Sequence, residues 1–245
     1  MAQNLLSVEN VSKYYGIKKA LDSVSLTIYQ KEVVSLLGAN GAGKTTLSSL
    51  IATRYPVSSG DIIFQGTSIY QDIVRYRCFI GCCPQQGNLN PDLTLQDNLL
   101  FAGRYYGLSG KLLIDRLDEV VEQFGLREYL REFPKVLSGG YKQRFLIARS
   151  IMHKPKLVIL DEPTVALDPH VRHQVWEHIR DMRDRGMSVL LTTHYLDEAE
   201  MLSDRVCVLD HGKIRHIDTP KNLMSTFNKS RLEDVFLELM HDTQE

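Results

Sequence analysis

The stretch Val33 to Leu47 reads Val-Val-Ser-Leu-Leu-Gly-Ala-Asn-Gly-Ala-Gly-Lys-Thr-Thr-Leu. An apolar run feeds a glycine-rich turn, and the turn feeds a helical pattern. Gly38 to Thr45 fits the pattern G-x-x-x-x-G-K-[ST]. Each part has a physical reason. Gly38, Gly41 and Gly43 carry no Cβ, so the backbone can take positive φ and approach a bound group closely. The bent loop turns its N–H groups inward as an anion nest, and the helix that follows adds the positive end of its dipole. Lys44 can reach β- and γ-phosphates, and Thr45 can ligate Mg²⁺. The bland alternative is a glycine turn that merely caps a helix. A predicted strand before the turn and a predicted helix after it argue against that.

At 245 residues the chain can bury a full core, and one or two domains are allowed. Its 43% hydrophobic and 24% charged residues give an ordinary globular balance, which sets aside disorder. The formal net charge of −1 offers no bulk attraction for nucleic acid, so no such partner is expected. No stretch approaches the ~20 apolar residues of a membrane span. The opening Met-Ala-Gln-Asn lacks the basic-then-apolar order of a signal peptide. The chain is therefore expected to be cytoplasmic and to reach a membrane only through a partner. Cys78, Cys82, Cys83 and Cys207 show no zinc-ligand spacing. Cys82 and Cys83 sit in an apolar run and read as buried small residues.

The segments around the loop alternate between strand and helix signals. Leu5 to Val8 reads as a strand, and Val24, Leu26 and Ile28 keep the period of two of a half-buried one. Between them Tyr15 precedes Gly16; it reads either as a packed loop tyrosine or as a ring able to stack on a purine. Strands are expected at Asp61 to Phe64 and Phe79 to Cys83. Gln85 follows the second, just past a carboxyl end where ligands bind open α/β sheets. From position alone a surface-loop glutamine is the better reading. From Thr94 to about Phe133 the pattern is helical, with a Thr94/Asp97 capping box and Leu113, Leu117, Val120, Val121 and Phe124 on one buried face. Ser138 suits an N-cap, and Gly139 and Gly140 open another helix able either to hold an anion or simply to end in a cap.

Leu157 to Leu160 is a continuous apolar run ending in Asp161 and Glu162, as a central parallel strand buried on both faces would be. Asp161 can hold Mg²⁺ from that position, and Glu162 can accept a proton from an attacking water. Asp168 precedes a helix whose inner stripe is Val175, Ile179 and Met182. Met187 to Thr192 is a further strand, and His194 beyond it is either structural or a donor to a γ-phosphate. Arg205 to Leu209 and Lys213 to Ile217 flank a hairpin turn, and residues 220 to 241 read as short helices.

Taken together, these stretches make the chain similar to the ATP-binding subunits of ATP-binding-cassette (ABC) transporters. The likeness covers residues 5 to about 218. It rests on ordered motifs: Tyr15 before Gly16, the Gly38–Thr46 loop, Gln85, Leu137–Tyr141, Leu157–Glu162, Ala166-Leu167-Asp168 and His194. Leu-Ser-Gly-Gly at 137–140 discriminates, since other P-loop NTPases lack it. The resemblance implies an α/β fold: a P-loop NTPase core with a mixed sheet, an antiparallel β-subdomain and an inserted α-helical subdomain. Residues 1–218 would form the ATPase domain, with the insert at about 88–153, and 219–245 a short helical tail.

The resemblance also implies a mechanism. Two subunits would bind head to tail and trap two ATP molecules with Mg²⁺. Tyr15 would stack on adenine. The loop residues Gly38, Asn40, Gly41, Ala42, Gly43, Lys44, Thr45 and Thr46 would hold phosphate, with Thr45, Asp161 and Gln85 around the magnesium. Glu162 would polarise the water and His194 would contact the γ-phosphate. Ser138, Gly139 and Gly140 would close over that phosphate from the other subunit, and Asp168 would communicate across the interface. Gln85 would sense the nucleotide and pass the change to an integral membrane permease. Tyr141 stands where the family usually has Gln, and Ala166 where Gly is common; both leave the catalytic pair intact, so an active ATPase is expected. The runs Leu191–Glu200 and Arg231–Leu239 look like the ABC-2 type exporters. Rival roles are import, lipoprotein release, or a soluble cassette on ribosomes or DNA. The soluble classes usually carry two cassettes or long coiled-coil insertions, and this chain has neither.

Overall fold

Continuous apolar runs with no polar alternation must be covered on both faces, and the strands with that pattern form the centre of the molecule. The structure, a computed structural model, describes residues 3–241. β3 (Val33–Leu37), β6 (Ile80–Cys83), β7 (Leu157–Asp161), β8 (Ser188–Thr193) and β9 (Arg205–Asp210) lie parallel in the order β9-β3-β8-β7-β6. β10 (Lys213–Asp218) pairs antiparallel with β9 and makes this six-stranded sheet mixed. Successive residues point to opposite faces. Val158 and Leu160 enter one core while Leu157 and Ile159 enter the other.

A second sheet is wholly antiparallel, in the order β2-β1-β4-β5: β1 (Asn4–Tyr15), β2 (Lys18–Tyr29), β4 (Ser59–Phe64) and β5 (Thr67–Ser68). Its buried face shares a core with α1 (Lys44–Ile51) and one face of the mixed sheet, through Leu6, Ile28, Leu47, Ile62 and Leu36. β1 is longer than the expected Leu5–Val8, because register shifts between Val8 and Lys13 break the alternation while the pairing continues to the hairpin at Gly16.

The helical stretch from Thr94 resolves into α3 (Leu95–Tyr105), α4 (Gly110–Gln123) and two 3₁₀ turns ahead of α5 (Gly139–Ser150). Thr94 Oγ1 accepts the Asp97 N–H at 3.1 Å and donates to the Asp97 carboxylate at 2.6 Å. Leu113, Leu117, Val120, Val121 and Phe124 are buried as one stripe, against Phe145, Ile147 and α6 (Pro169–Asp184). A short α2 (Ile73–Arg77) precedes β6.

α7 (Leu196–Leu202), α8 (Pro220–Thr226) and α9 (Leu232–His241) close a third core around Leu37, Ala199, Val206, Leu223, Leu232 and Val235. The terminal stretches 1–2 and 242–245 of the expected domain and tail lie outside the described residues. Among the described residues no helix is long and apolar enough to cross a membrane. Cys83 and Cys207 are buried, and Cys78 is exposed. Cys82 departs from expectation: it is only half-buried, because it lines a groove beside α3.

Candidate nucleotide site

The loop between β3 and α1 is held by neighbours that leave no room for a side chain at Gly38 or Gly43. A Cβ on Gly38 would lie 2.3 Å from the Leu209 carbonyl oxygen. Gly43 has φ +112°, and a Cβ there would meet Leu21 at 2.8 Å and the Ala20 oxygen at 3.0 Å. Gly212 N–H donates to the Ala42 carbonyl at 2.9 Å, so the β9–β10 turn fixes the loop from behind. α1 begins at Lys44, so the N–H groups of its first turn have no partner within the helix.

The result is a cleft of about 510 Å³. Tyr15, Asn40, Gly41, Gly43, Lys44, Thr45, Thr46, Gln85, Glu162 and His194 all border it, although they come from five separate segments. Lys18, Lys19, Ala20, His211 and Gly212 border it as well and were not anticipated. They reach it through two hairpins. The only local hint is the Lys-Lys pair directly after the Tyr15–Gly16 turn.

Lys44 Nζ is buried and donates to the Gly38 and Ala39 carbonyls at 2.7 and 3.2 Å. Burial pulls its pKa below the ordinary 10.5, and the charges of Glu162 and Asp161 oppose that shift. Asp161, at the end of β7, accepts from Thr192 Oγ1 at 2.6 Å and from Thr45 Oγ1 at 3.4 Å. Glu162 takes a left-handed φ of +49°, and its N–H is shared between the Thr192 carbonyl at 3.1 Å and the Thr192 hydroxyl at 3.0 Å. A strained backbone held by two acceptors aims the side chain. Its Oε2 lies 3.3 Å from Gln85 Nε2 and 3.4 Å from His194 Nδ1.

Asp161 aside, six predicted residues do not line the cleft. Gly38 and Ala42 build the loop without facing the open space. Ser138, Gly139 and Gly140 start α5, where Ser138 Oγ accepts the Tyr141 N–H at 3.5 Å. They abut Leu167 and Val171 rather than the loop, and Ser138 and Gly139 are exposed. Asp168 sits at the N-terminus of α6 and makes no capping bond with its side chain. It too is exposed.

A glycine-rich loop between strand and helix, a buried lysine, and two carboxylates at the end of β7, the parallel strand one place beyond β8, define a P-loop nucleotide-binding ATPase. The comparisons with known proteins narrow the class. The family model described as ABC transporter matches residues 21–165. The linearmycin resistance ATP-binding protein LnrL of Bacillus subtilis is 39% identical over 90% of this chain and 71% of its own length. A Nod factor export ATP-binding protein I of Sinorhizobium fredii is 40% identical over 85% of this chain and 61% of its own length. The chain thus spans under two thirds of one of these relatives and somewhat more of the other. A solved ATP-binding subunit of an ABC transporter superposes with a TM-score of 0.87, at 31% identity, over 96% of this chain and 99% of that one. The cbiO1 subunit of Clostridium perfringens gives 0.84 at 27% identity over 91% of each chain. The chain belongs to the ABC transporter family, and it is one of the family's ATPases.

Proposed function

We propose that the chain is the ATP-hydrolysing subunit of a membrane exporter, working as a dimer that closes on two ATP molecules. The observation that carries the dimer is the position of Ser138 and Gly139. They are exposed at the start of a helix and stand outside their own chain's cleft. A helix N-terminus is built to hold an anion, and here it is free to reach a phosphate bound to a second copy. Export follows from the relatives, which serve linearmycin resistance and Nod factor export.

Tyr15 offers a ring to adenine at the cleft mouth, and Lys44 and the loop N–H groups take the phosphates. Thr45 and Asp161 bring a hydroxyl and a carboxylate together, the hard oxygen donors that magnesium takes alongside waters and phosphate oxygens. Gln85 stands beside Glu162 and completes the set. Magnesium, when bound, neutralises charge on the transferred phosphoryl group. Glu162 accepts a proton from the attacking water, and His194 donates to the γ-phosphate. Asp168 carries the state of one site towards the other. The ATPase domain is read as residues 1–218, with its helical insert at about 88–153 and a tail from 219.

A groove beside the Gln85 segment is the face offered to the membrane permease. It is lined by Cys82, Asn88, Phe101, Tyr105 and Arg149, and Phe101 and Tyr105 are exposed. Because the lining runs through residues 82–90, a partner seated there touches the segment that carries Gln85 to the nucleotide.

The test is purification of the tagged chain from detergent-solubilised membranes, with identification of what is bound. One stoichiometric polytopic protein is the expected companion. Recovery of ribosomal or DNA-associated proteins in its place removes the exporter reading and leaves the ATPase standing.

A further inference from the structure

Glu198 lies in α7, four residues beyond His194, and none of its surface reaches solvent. A carboxyl taken out of water must find hydrogen-bond partners in the protein. Its Oε1 accepts from Thr164 Oγ1 at 2.8 Å and from Trp176 Nε1 at 2.9 Å. Thr193, the residue before His194, faces the same carboxyl and through its Oγ1 accepts the Tyr195 N–H at 2.9 Å. Oε2 is buried with no partner within hydrogen-bonding distance.

The partners matter more than their number. Thr164 is buried in the loop that runs from Glu162 to Asp168. Trp176 is buried in α6, the helix that Asp168 begins. α7 follows directly from the turn that carries His194. One side chain thus joins the segment bearing the water-facing carboxylate to the segment bearing the histidine. We propose that Glu198 is a positioning residue for ATP hydrolysis, fixing the Glu162–Asp168 loop against the helix that follows His194 through its bonds to Thr164 and Trp176.

A buried acid is an expensive way to fill space, since an apolar side chain of similar size packs a core without desolvating a polar group. What the acid adds is direction: two bonds on one oxygen, aimed at two different elements. Burial raises the Glu198 carboxyl above the ordinary carboxylate range, while the hydrogen bonds from Thr193, Thr164 and Trp176 and then the Arg172 charge pull the other way. Glutamine has the same shape, keeps the accepting oxygen and carries no charge.

The inference rests on the reading of Glu162 and His194 as the hydrolytic pair, so Glu162→Gln is measured beside the new variants. The full chain is assayed for phosphate release and for ATP dependence, per folded molecule. Glu198→Ala is expected to lower kcat by about ten- to a hundredfold, the scale of a small misplacement of catalytic groups. KM for ATP stays within about twofold, since the phosphate loop is untouched. Glu198→Gln restores most of the lost kcat. Thr164→Val cuts only the tie to the loop, and it is expected to lower kcat in the same direction without unfolding the chain. If Glu198→Ala lowers thermal stability while kcat per folded molecule is unchanged, Glu198 is a core residue only and the proposal falls. A glutamine variant as slow as alanine, or Thr164→Val at full kcat, overturns it equally. Should Glu162→Gln itself turn over normally, the error lies in the site reading and not in the tie.

Discussion

His194 Nδ1 and Glu162 Oε2 stand 3.4 Å apart across the mouth of the cleft, and Gln85 Nε2 reaches the same oxygen at 3.3 Å. Three segments far apart in sequence therefore converge on one carboxylate oxygen. The backbone at Glu162 is left-handed and doubly tethered to Thr192, so the convergence is set by the end of β7 and β8 and not by a mobile side chain.

Groups that act on one oxygen act as a unit, and their removal is not additive. Glu162→Gln is expected to reduce kcat by about 10²- to 10⁴-fold, the usual worth of a general base. His194→Ala is expected to slow turnover as well. The double variant should be no slower than Glu162→Gln alone. Steady-state phosphate release from all three decides it. Losses that multiply would mean that the two residues serve separate steps.

Lys44 carries a charge into a site where burial disfavours it. Its pKa is lower in the folded chain than the 10.5 of an exposed lysine, so the folded state binds that proton more weakly than the unfolded state does. Between the lowered value and 10.5, this group makes stability rise with pH; below that window it costs stability throughout. Lys44→Met removes the buried charge and keeps the length of the stem. The nucleotide-free variant is expected to melt no lower than the wild type at neutral pH, while ATP affinity falls at least about tenfold with the lost phosphate contact. Differential scanning fluorimetry with and without ATP reads both. A variant that melts lower without nucleotide, yet still gains stability from ATP like the wild type, would contradict the account on both counts.

Much of this site was legible because its parts are short and contiguous. The Gly38–Thr46 loop and the Leu157–Glu162 run each carry strand, turn and chemistry within one window, so spacing alone places them. What stayed hidden depends on chain folding back from a distance. His211 and Gly212 belong to a hairpin whose sequence speaks only of a turn, yet that turn supports Ala42 and lines the cleft. β1 hid most of its length because Asn10, at φ +50°, interrupts the period of two without ending the pairing. Glu198 sits in an Asp-Glu-Ala-Glu run that reads as a solvated helix face, and only the packing of Thr164 and Trp176 makes it buried.

Ala166 holds a left-handed φ of +60° in an exposed loop, four residues after the left-handed Glu162. A Cβ in that region costs roughly 1–2 kcal/mol, and glycine avoids it at the expense of a more flexible unfolded chain. Since the side chain is exposed, no packing is lost. Ala166→Gly is expected to stabilise the chain by about 0.5–1 kcal/mol. Urea unfolding should show a higher midpoint with an unchanged slope. A lower midpoint would mean that the loop's stiffness, and not its strain, dominates.

Gly140 faces Val171 across the α5–α6 contact, and a Cβ there would come within 2.5 Å of Val171 Cγ1. Valine is stiff at χ1, so the clash cannot be relieved by a long side chain swinging aside. Gly140→Ala is therefore expected to push the start of α5 away from α6 and to cost about 1–3 kcal/mol, the usual range for an overfilled contact. The same displacement moves Ser138 and Gly139, so ATP-dependent dimerisation should weaken along with stability. Val171→Ala supplies the missing space. In the double variant most of the stability is expected to return, leaving a coupling term of about 1 kcal/mol or more between two touching residues. Urea unfolding of the four proteins measures that coupling, and gel filtration with ATP of the same set separates its two consequences. If stability returns in the double variant but dimerisation does not, the methyl group at position 140 is obstructing the second copy directly. If neither single substitution changes the midpoint, α5 moves freely against α6 and the contact does not position the exposed serine.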